Sequence, residues 1–235
     1  MRACCWVGFA LVIVGFARYG TGQTTTPHTQ PHMWVETRAG MPFIATSMTM
    51  LKRSLADGTM VTASSEDVIA RDSAGRWYSD EHPVVGKPES KDIPYRPNVH
   101  DPLEHRFLHF VPPDHKVVIY VGATEAADPK PPAGTTVQTK GATTVKVEAL
   151  PEQTILGYRA WGQRTTVTVV RDGKTTVMLD EFWYSDELGM DLLRRHVDPV
   201  SGEEVTAIMD LKRVEPDAAL FRIPEGWTQE GVKSR

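Results

Sequence analysis

Cysteine is almost missing from this chain of 235 residues: there are two, Cys4 and Cys5, both near the start. They sit inside a segment that reads as a secretory signal. Arg2 supplies a short positive region, residues 3–17 form an apolar run without charge, and Gly20-Thr21-Gly22 gives a small-x-small cleavage pattern. Cleavage after Gly22 is expected, with a periplasmic or secreted product. That product would have no disulfide, no thiolate nucleophile and no cysteine metal site. Basic charge is also scarce. The chain has 26 Lys and Arg against 30 Asp and Glu. Losing Arg2 and Arg18 with the signal would leave 24 against 30, a net charge of −6. Non-specific nucleic-acid binding needs the opposite balance, so no nucleic-acid partner is expected. The apolar run at 3–17 is shorter than the roughly 20 residues of a membrane helix.

Catalytic signatures are missing as well. The sequence has no Gly-x-Ser-x-Gly, no Ser-x-x-Lys, no phosphate-binding loop and no Gly-x-Gly-x-x-Gly. No cofactor is implied. Helical periodicity over three turns is absent after residue 22, and no repeat recurs at a fixed period.

What is present is β-pattern and turn chemistry. Residues 23–32 (QTTTPHTQPH) are Thr-, Gln- and Pro-rich and read as a flexible tether. Residues 33–228 read as one β domain and 229–235 as a tail. A short edge strand is expected at 33–37. Runs at 43–55 and 59–69 flank Asp57-Gly58, a hairpin signal. A turn at Ser73-Ala74-Gly75 precedes a strand at 76–79. Residues 82–101 carry Pro83, Pro88, Pro94 and Pro97 and read as one long surface loop. Strands follow at 105–111 and 116–121 around Pro112-Pro113-Asp114. A second Pro-rich loop spans 128–134. Further strands are expected at 143–150, 155–160, 165–171 and, after Asp172-Gly173, 174–184.

The stretch 180–227 is the most informative. A strand at 189–197 is joined through Asp198-Pro199-Val200-Ser201-Gly202 to a return strand. Alternation there puts Val205, Ala207, Met209 and Leu211 on the packed face, with Ile208 as the exception. Glu215-Pro216-Asp217 predicts a single helical turn through Leu220. Phe221, Ile223 and Trp227 would pin the end of the chain over the sheet. The fold class is therefore all-β, mainly antiparallel: a curved sheet or half-barrel with a short C-terminal helical turn.

Two groups of side chains are candidates for function. The aromatic inventory (Trp34, Trp77, Trp161, Phe182, Trp183, Tyr184, Phe221 and Trp227) with Met48 and Met50 suits core packing. It also suits an adaptable apolar groove, for which Trp77, Trp161, Trp183, Met48 and Met50 are the candidates. His100, His105 and His109 are the candidate metal set. On a helix His105 and His109 would lie one turn apart; on a strand they would lie about 13 Å apart, too far to share an ion. Asp101-Pro102-Leu103-Glu104 also fits a helix start, but the following run is read as a strand.

The blocks DGTMVT (57–62), IARDSAGRWYSD (69–80), VHDPLEHRFLHFVPPDHK (99–116), TILGYRAWGQRTTVTV (154–169), EFWYSDELGMDLLRRHVDPVSGE (181–203) and LKRVEPDAALFRIPEGW (211–227) occur in that order. In that order they resemble a group of exported proteins common in soil bacteria of the Acidobacteria type. The layout is more distantly similar to the open half-barrel of periplasmic lipoprotein carriers and of an envelope-stress sensor domain. That likeness implies an acyl-binding concave face and transfers no residue role. The expected function is non-catalytic binding of an apolar or acyl ligand, a lipid or lipoprotein, or another envelope component. The alternatives are a protein-interaction or sensor module using 82–101, and a metal-assisted hydrolase using the three histidines.

Overall fold

The computed structural model describes residues 35–55, 57–81, 96–121 and 131–231. The expected signal peptide, the tether, Trp34, most of the 82–101 loop and part of the 128–134 loop lie outside these residues.

The described chain is one thirteen-stranded sheet. In chain order the strands are β1 (Phe43–Ser54), β2 (Met60–Arg71), β3 (Trp77–Glu81), β4 (Arg96–Asp101), β5 (Arg106–Val111), β6 (Lys116–Val121), β7 (Thr136–Lys140), β8 (Thr143–Ile155), β9 (Tyr158–Arg171), β10 (Lys174–Ser185), β11 (Met190–Asp198), β12 (Gly202–Lys212) and β13 (Thr228–Glu230). Their order across the sheet is β13-β6-β5-β4-β3-β2-β1-β12-β11-β10-β9-β8-β7. Two antiparallel meanders run outward from a seam where β1 pairs with β12. Only β13 is parallel to its neighbour, β6. The fold is all-β, and no described helix is long and apolar enough to cross a membrane.

Alternation fixes the two faces. On β1, Phe43, Ala45, Ser47 and Thr49 are buried while Ile44, Thr46 and Met48 are less so. By register, their face also carries Ile69 on β2 and Ile208 on β12. These residues join Val35, Ala160, Leu188, Met190 and Leu192 in one apolar cluster. Trp77 from β3 and Ile155 and Tyr158 from β8 and β9 pack against the same cluster. Flat strands would hold β3 and β8 about 34 Å apart, at ~4.8 Å per strand. Sharing one cluster therefore requires the sheet to curl, and the face of Phe43 and Ala45 is named its concave side. The sheet remains unclosed.

The convex side of β2–β6 has its own core. Ala70, Tyr78, Val99, Leu108, Phe110 and Val117 are buried there under Phe221, with Leu220, Ile223 and Trp227 packed against them. The covering hook forms as its residues dictate: Asp217 caps a 3-10 turn, Ala218–Phe221, by accepting from the Ala219 N–H at 2.8 Å. Arg76 lies over the Phe221 ring, its guanidinium carbon 5.2 Å from the centroid.

Several expectations need correction. Residues 96–101 are not loop but β4, since a proline in a strand is tolerated where its missing N–H falls outside the ladder. Of the edge strand expected at 33–37, the described residues 35–37 make one isolated bridge, between Val35 and Met190. His105 is not in a strand but in the turn before β5, at φ 47°. The helix-start signal at Asp101 is a turn: its Oδ1 accepts from the Leu103 and Glu104 N–H at 3.2 Å each. The strands expected at 143–150, 155–160 and 165–171 are two long ones, β8 and β9, reversed at Leu156-Gly157. The hairpin at Asp57-Gly58 uses the longer turn 55–59, closed by Leu55 N–H to Thr59 O at 2.8 Å.

The packed face expected for β12 is inverted. Thr206 and Ile208 are buried, and Met209 is 54% exposed. Thr46 pairs with Asp210 and Ser47 with Ile208, so Met209 opposes no residue. This bulge shifts the phase by one, so that Ile208 and Leu211 both reach the concave cluster.

The β11–β12 turn gives a stability prediction. Asp198 Oδ1 accepts from the Val200 N–H at 2.6 Å and the Ser201 N–H at 2.9 Å, which hold its carboxyl below the usual range. Gly202 follows at φ +98°, and a Cβ there would strike the Lys52 carbonyl and the Arg53 Cα. Gly202→Ala is expected to cost about 2 kcal/mol in urea unfolding; an unchanged midpoint would show that the β1 backbone yields.

Candidate functional site

Antiparallel register builds a row of rings across the concave face. Trp77 opposes His100, His100 opposes Phe107, and Phe107 opposes Tyr120. Ring centroids are 6.1, 6.4 and 6.2 Å apart along the row, each pair tilted. These are the spacings of favourable aromatic pairs. All four side chains are partly buried.

The row continues inward and becomes sealed. Trp77 opposes Arg71, and Arg71 opposes Phe43. Arg71 and Phe43 are fully buried, with the guanidinium 5.0 Å from the Phe43 centroid. Arg71 donates to three carbonyls: Met41 O at 3.0 Å, Glu36 O at 3.0 Å and Leu188 O at 2.7 Å. Burial first, and the nearby Arg38 second, push its pKa down to about 10, with Glu36 opposing. The guanidinium thus stays charged at neutral pH and closes the inner end of the row.

A polar row lies two residues further along the same strands. Ser79 opposes Asn98 and Asn98 opposes His109, whose Nδ1 is 2.8 Å from Asn98 Oδ1. Towards the seam the concave face stays polar: Ser65, Thr49, Thr206 and Arg194 are successive cross-strand partners and all are buried. Beyond it, Val145, Val167 and Met178 form a partly buried apolar row on β8, β9 and β10.

Arg194 donates to both oxygens of Asp180, at 3.1 and 3.0 Å, and lies 4.0 Å from Asp191. His196 Nδ1 is 4.0 Å from Asp180. Burial raises the Asp180 pKa, against the lowering pull of Arg194 and His196. A separate ion network lies on the convex side, where Glu181 bridges Arg164 and Arg195, and Arg195 reaches Glu203 at 2.7 Å. Glu181 is buried while Arg164, Arg195 and Glu203 stay partly exposed, and the network ties neighbouring strands together.

Of the apolar candidates, Trp77 and Trp183 pack against the same cluster, and the other three lie elsewhere. Trp77 belongs to the ring row. Trp161 packs with Phe182 and Tyr184 in a separate cluster, its indole N–H donating to Asp186 Oδ1 at 3.1 Å. Trp183 donates to Pro151 O at 3.2 Å. Met48 and Met50 alternate with the buried β1 residues and so face the convex side, Met50 being 49% exposed. Of the histidines, His100 is in the ring row, His109 is beside it, and His105 is in its turn. Among the described residues no three His, Cys, Asp or Glu side chains group as a metal site. Phe107 and Tyr120 were not singled out from sequence. Their signal was present in the alternation of 106–111, where Phe107 and His109 oppose Leu108 and Phe110, but only strand pairing shows that the alternate face meets Trp77.

The fold and site together define an all-β protein built on a single curved, unclosed antiparallel sheet with an aromatic row on its concave face. No family model matches the chain, and no curated protein matches it. Among solved structures the chain is similar to a Bacteroides fragilis protein with a YmcC-like fold, inferred to be exported, at 9% identity and a TM-score of 0.28, over 77% of this chain and 99% of that one. At that score the likeness bears on neither ligand nor compartment.

Proposed function

We propose that this is an exported, non-catalytic binding protein whose concave face holds the apolar or acyl part of an envelope component, a lipid or a lipoprotein. The observation that carries the reading is the row Trp77–His100–Phe107–Tyr120, partly buried and in register across four strands. A row of tilted rings offers a flat apolar floor at low conformational cost. The Val145–Val167–Met178 row supplies a second apolar surface on the same side. The signal-like N-terminal segment supports a periplasmic or secreted location.

The test is native mass spectrometry of the purified protein, followed by lipid extraction of the same sample. The expected result is a lipid-mass adduct that extraction removes. Replacing Phe107 and Tyr120 by Ala is expected to lower occupancy at least ~10-fold, since each ring contributes more than ~1.4 kcal/mol of apolar contact. An apo mass at low collision energy, with no lipid in the extract, would reject the reading.

A further inference from the structure

We infer that the ligand has a neutral, hydroxyl-bearing head group, seated on the row of hydroxyls Ser65–Thr49–Thr206 at the centre of the concave face. The inference rests on the apolar-ligand reading and names the class of ligand. The three side chains lie on adjacent strands β2, β1 and β12 as direct cross-strand partners. At ~4.8 Å per strand the row spans about 10 Å, room for a glycerol or one sugar ring.

The hydrogen bonding within the row is incomplete. Thr49 Oγ1 and Thr206 Oγ1 are 2.9 Å apart, so one hydroxyl proton is shared between them and one is left to donate elsewhere. Ser65 Oγ is buried, its residue 9% exposed, and makes no hydrogen bond. A buried hydroxyl without a partner is costly, and a ligand that both donates and accepts on neighbouring atoms relieves that cost. Polyols do both.

Charge selects against the acidic alternative. Asp67 and Glu204 are on the same face by register, beside Ser47 and Leu51. Asp180 and Asp191 flank Arg194, whose terminal nitrogen is already held by both Asp180 oxygens. Two carboxylates thus lie against the Arg194 guanidinium, and His196 Nδ1 is 4.0 Å from Asp180. A fatty-acid carboxylate or a phosphate would add negative charge to a site that is already negative. A neutral polyol meets no such repulsion.

The experiment uses three probes with twelve-carbon tails: monolaurin, dodecyl glucoside and laurate. Each is titrated calorimetrically into the full protein below its micellar concentration at pH 7.5. Monolaurin or dodecyl glucoside is expected to bind at least ~10-fold tighter than laurate, the effect of about one net hydrogen bond plus the avoided repulsion. Ser65→Ala combined with Thr206→Val should weaken the neutral probes about tenfold and leave laurate unchanged. Laurate binding as tightly as both neutral probes would overturn the head-group inference while leaving the apolar-ligand reading standing. So would a variant that weakens all three equally. Binding of none of the three would overturn both.

Discussion

Replacing Arg71 by Ala is expected to lower the unfolding free energy by about 4 kcal/mol, the size seen when a buried, fully hydrogen-bonded ion loses its side chain. Arg71 is fully buried, and its three donors satisfy carbonyls from two distant places: Glu36 and Met41 in the chain entering β1, and Leu188 in the turn between β10 and β11. Other ties join the same two segments. The Glu36 N–H reaches Gly189 O at 2.8 Å, and Arg38 reaches Asp186 O at 2.7 Å and Glu36 at 2.6 Å. Removing the guanidinium leaves three carbonyls without this donor, strips the cation from the Phe43 ring, and opens a cavity beside the concave cluster. Lys is not a substitute. Its single ammonium cannot reach three carbonyls arranged around a planar fork, so Arg71→Lys should still cost about 2 kcal/mol. Burial depresses the Arg71 pKa only to about 10. Protons are therefore released on folding only above neutral pH, and the loss should be the same at pH 6 and pH 8. Urea unfolding at both values checks this. A loss under 1 kcal/mol would mean that the entering segment detaches without cost to the sheet.

How legible this fold was depends on chain distance. Local hairpins announce themselves. Asp57-Gly58 and Asp198–Gly202 mark β1–β2 and β11–β12, and Asp172-Gly173 marks β9–β10. The seam was not legible, because Thr49 and Thr206 meet across 157 positions with no local signal. The reversal at Leu156-Gly157 was hidden because Leu156 takes φ 52°, a conformation Leu rarely adopts, so no turn signature precedes the glycine. Strand β7, TVQTK, was hidden because all five residues are exposed and show no apolar alternation. On β12 the sequence carried a clue: Ile208, out of phase in the alternation, is where the Met209 bulge re-phases the strand.

The site was legible only in part, and for the same reason. Trp77 and His100 were named for separate roles, an apolar groove and a metal, because sequence shows a residue's type and not its cross-strand neighbour. Register makes them adjacent members of one row and adds Phe107 and Tyr120. Met48 and Met50, attractive by type, lie on the other face by simple alternation. The polar row was passed over because buried Ser and Thr look like ordinary strand residues. Their burial beside an ion pair is a tertiary fact.

Arg194→Met should reveal what that ion pair does. Arg194 is 3% exposed and holds both oxygens of Asp180, itself 8% exposed. Burial already raises the Asp180 pKa despite Arg194, whose attraction is the largest opposing influence. Removing Arg194 leaves the carboxylate buried without that partner. The expected cost at pH 7.5 is about 4 kcal/mol. The sign of the pH dependence follows from linkage. A carboxyl whose folded pKa lies above its unfolded value binds more protons folded than unfolded, so stability falls as pH rises through that window. In the wild-type protein this slope is opposed by Arg194. In Arg194→Met the folded pKa moves further up, the window widens, and acidification towards pH 5 should recover part of the loss. Asp180→Asn in the same background should remove both the extra slope and much of the cost. Urea unfolding of the wild-type, single and double variants between pH 5 and 8 separates the outcomes. A uniform loss at every pH would assign Arg194 a packing role beside Phe182 and Thr206, its cross-strand partners. A loss that shrinks on acidification, and disappears with Asp180→Asn, would show that Arg194 is there to keep a buried carboxylate ionised at the centre of the concave face.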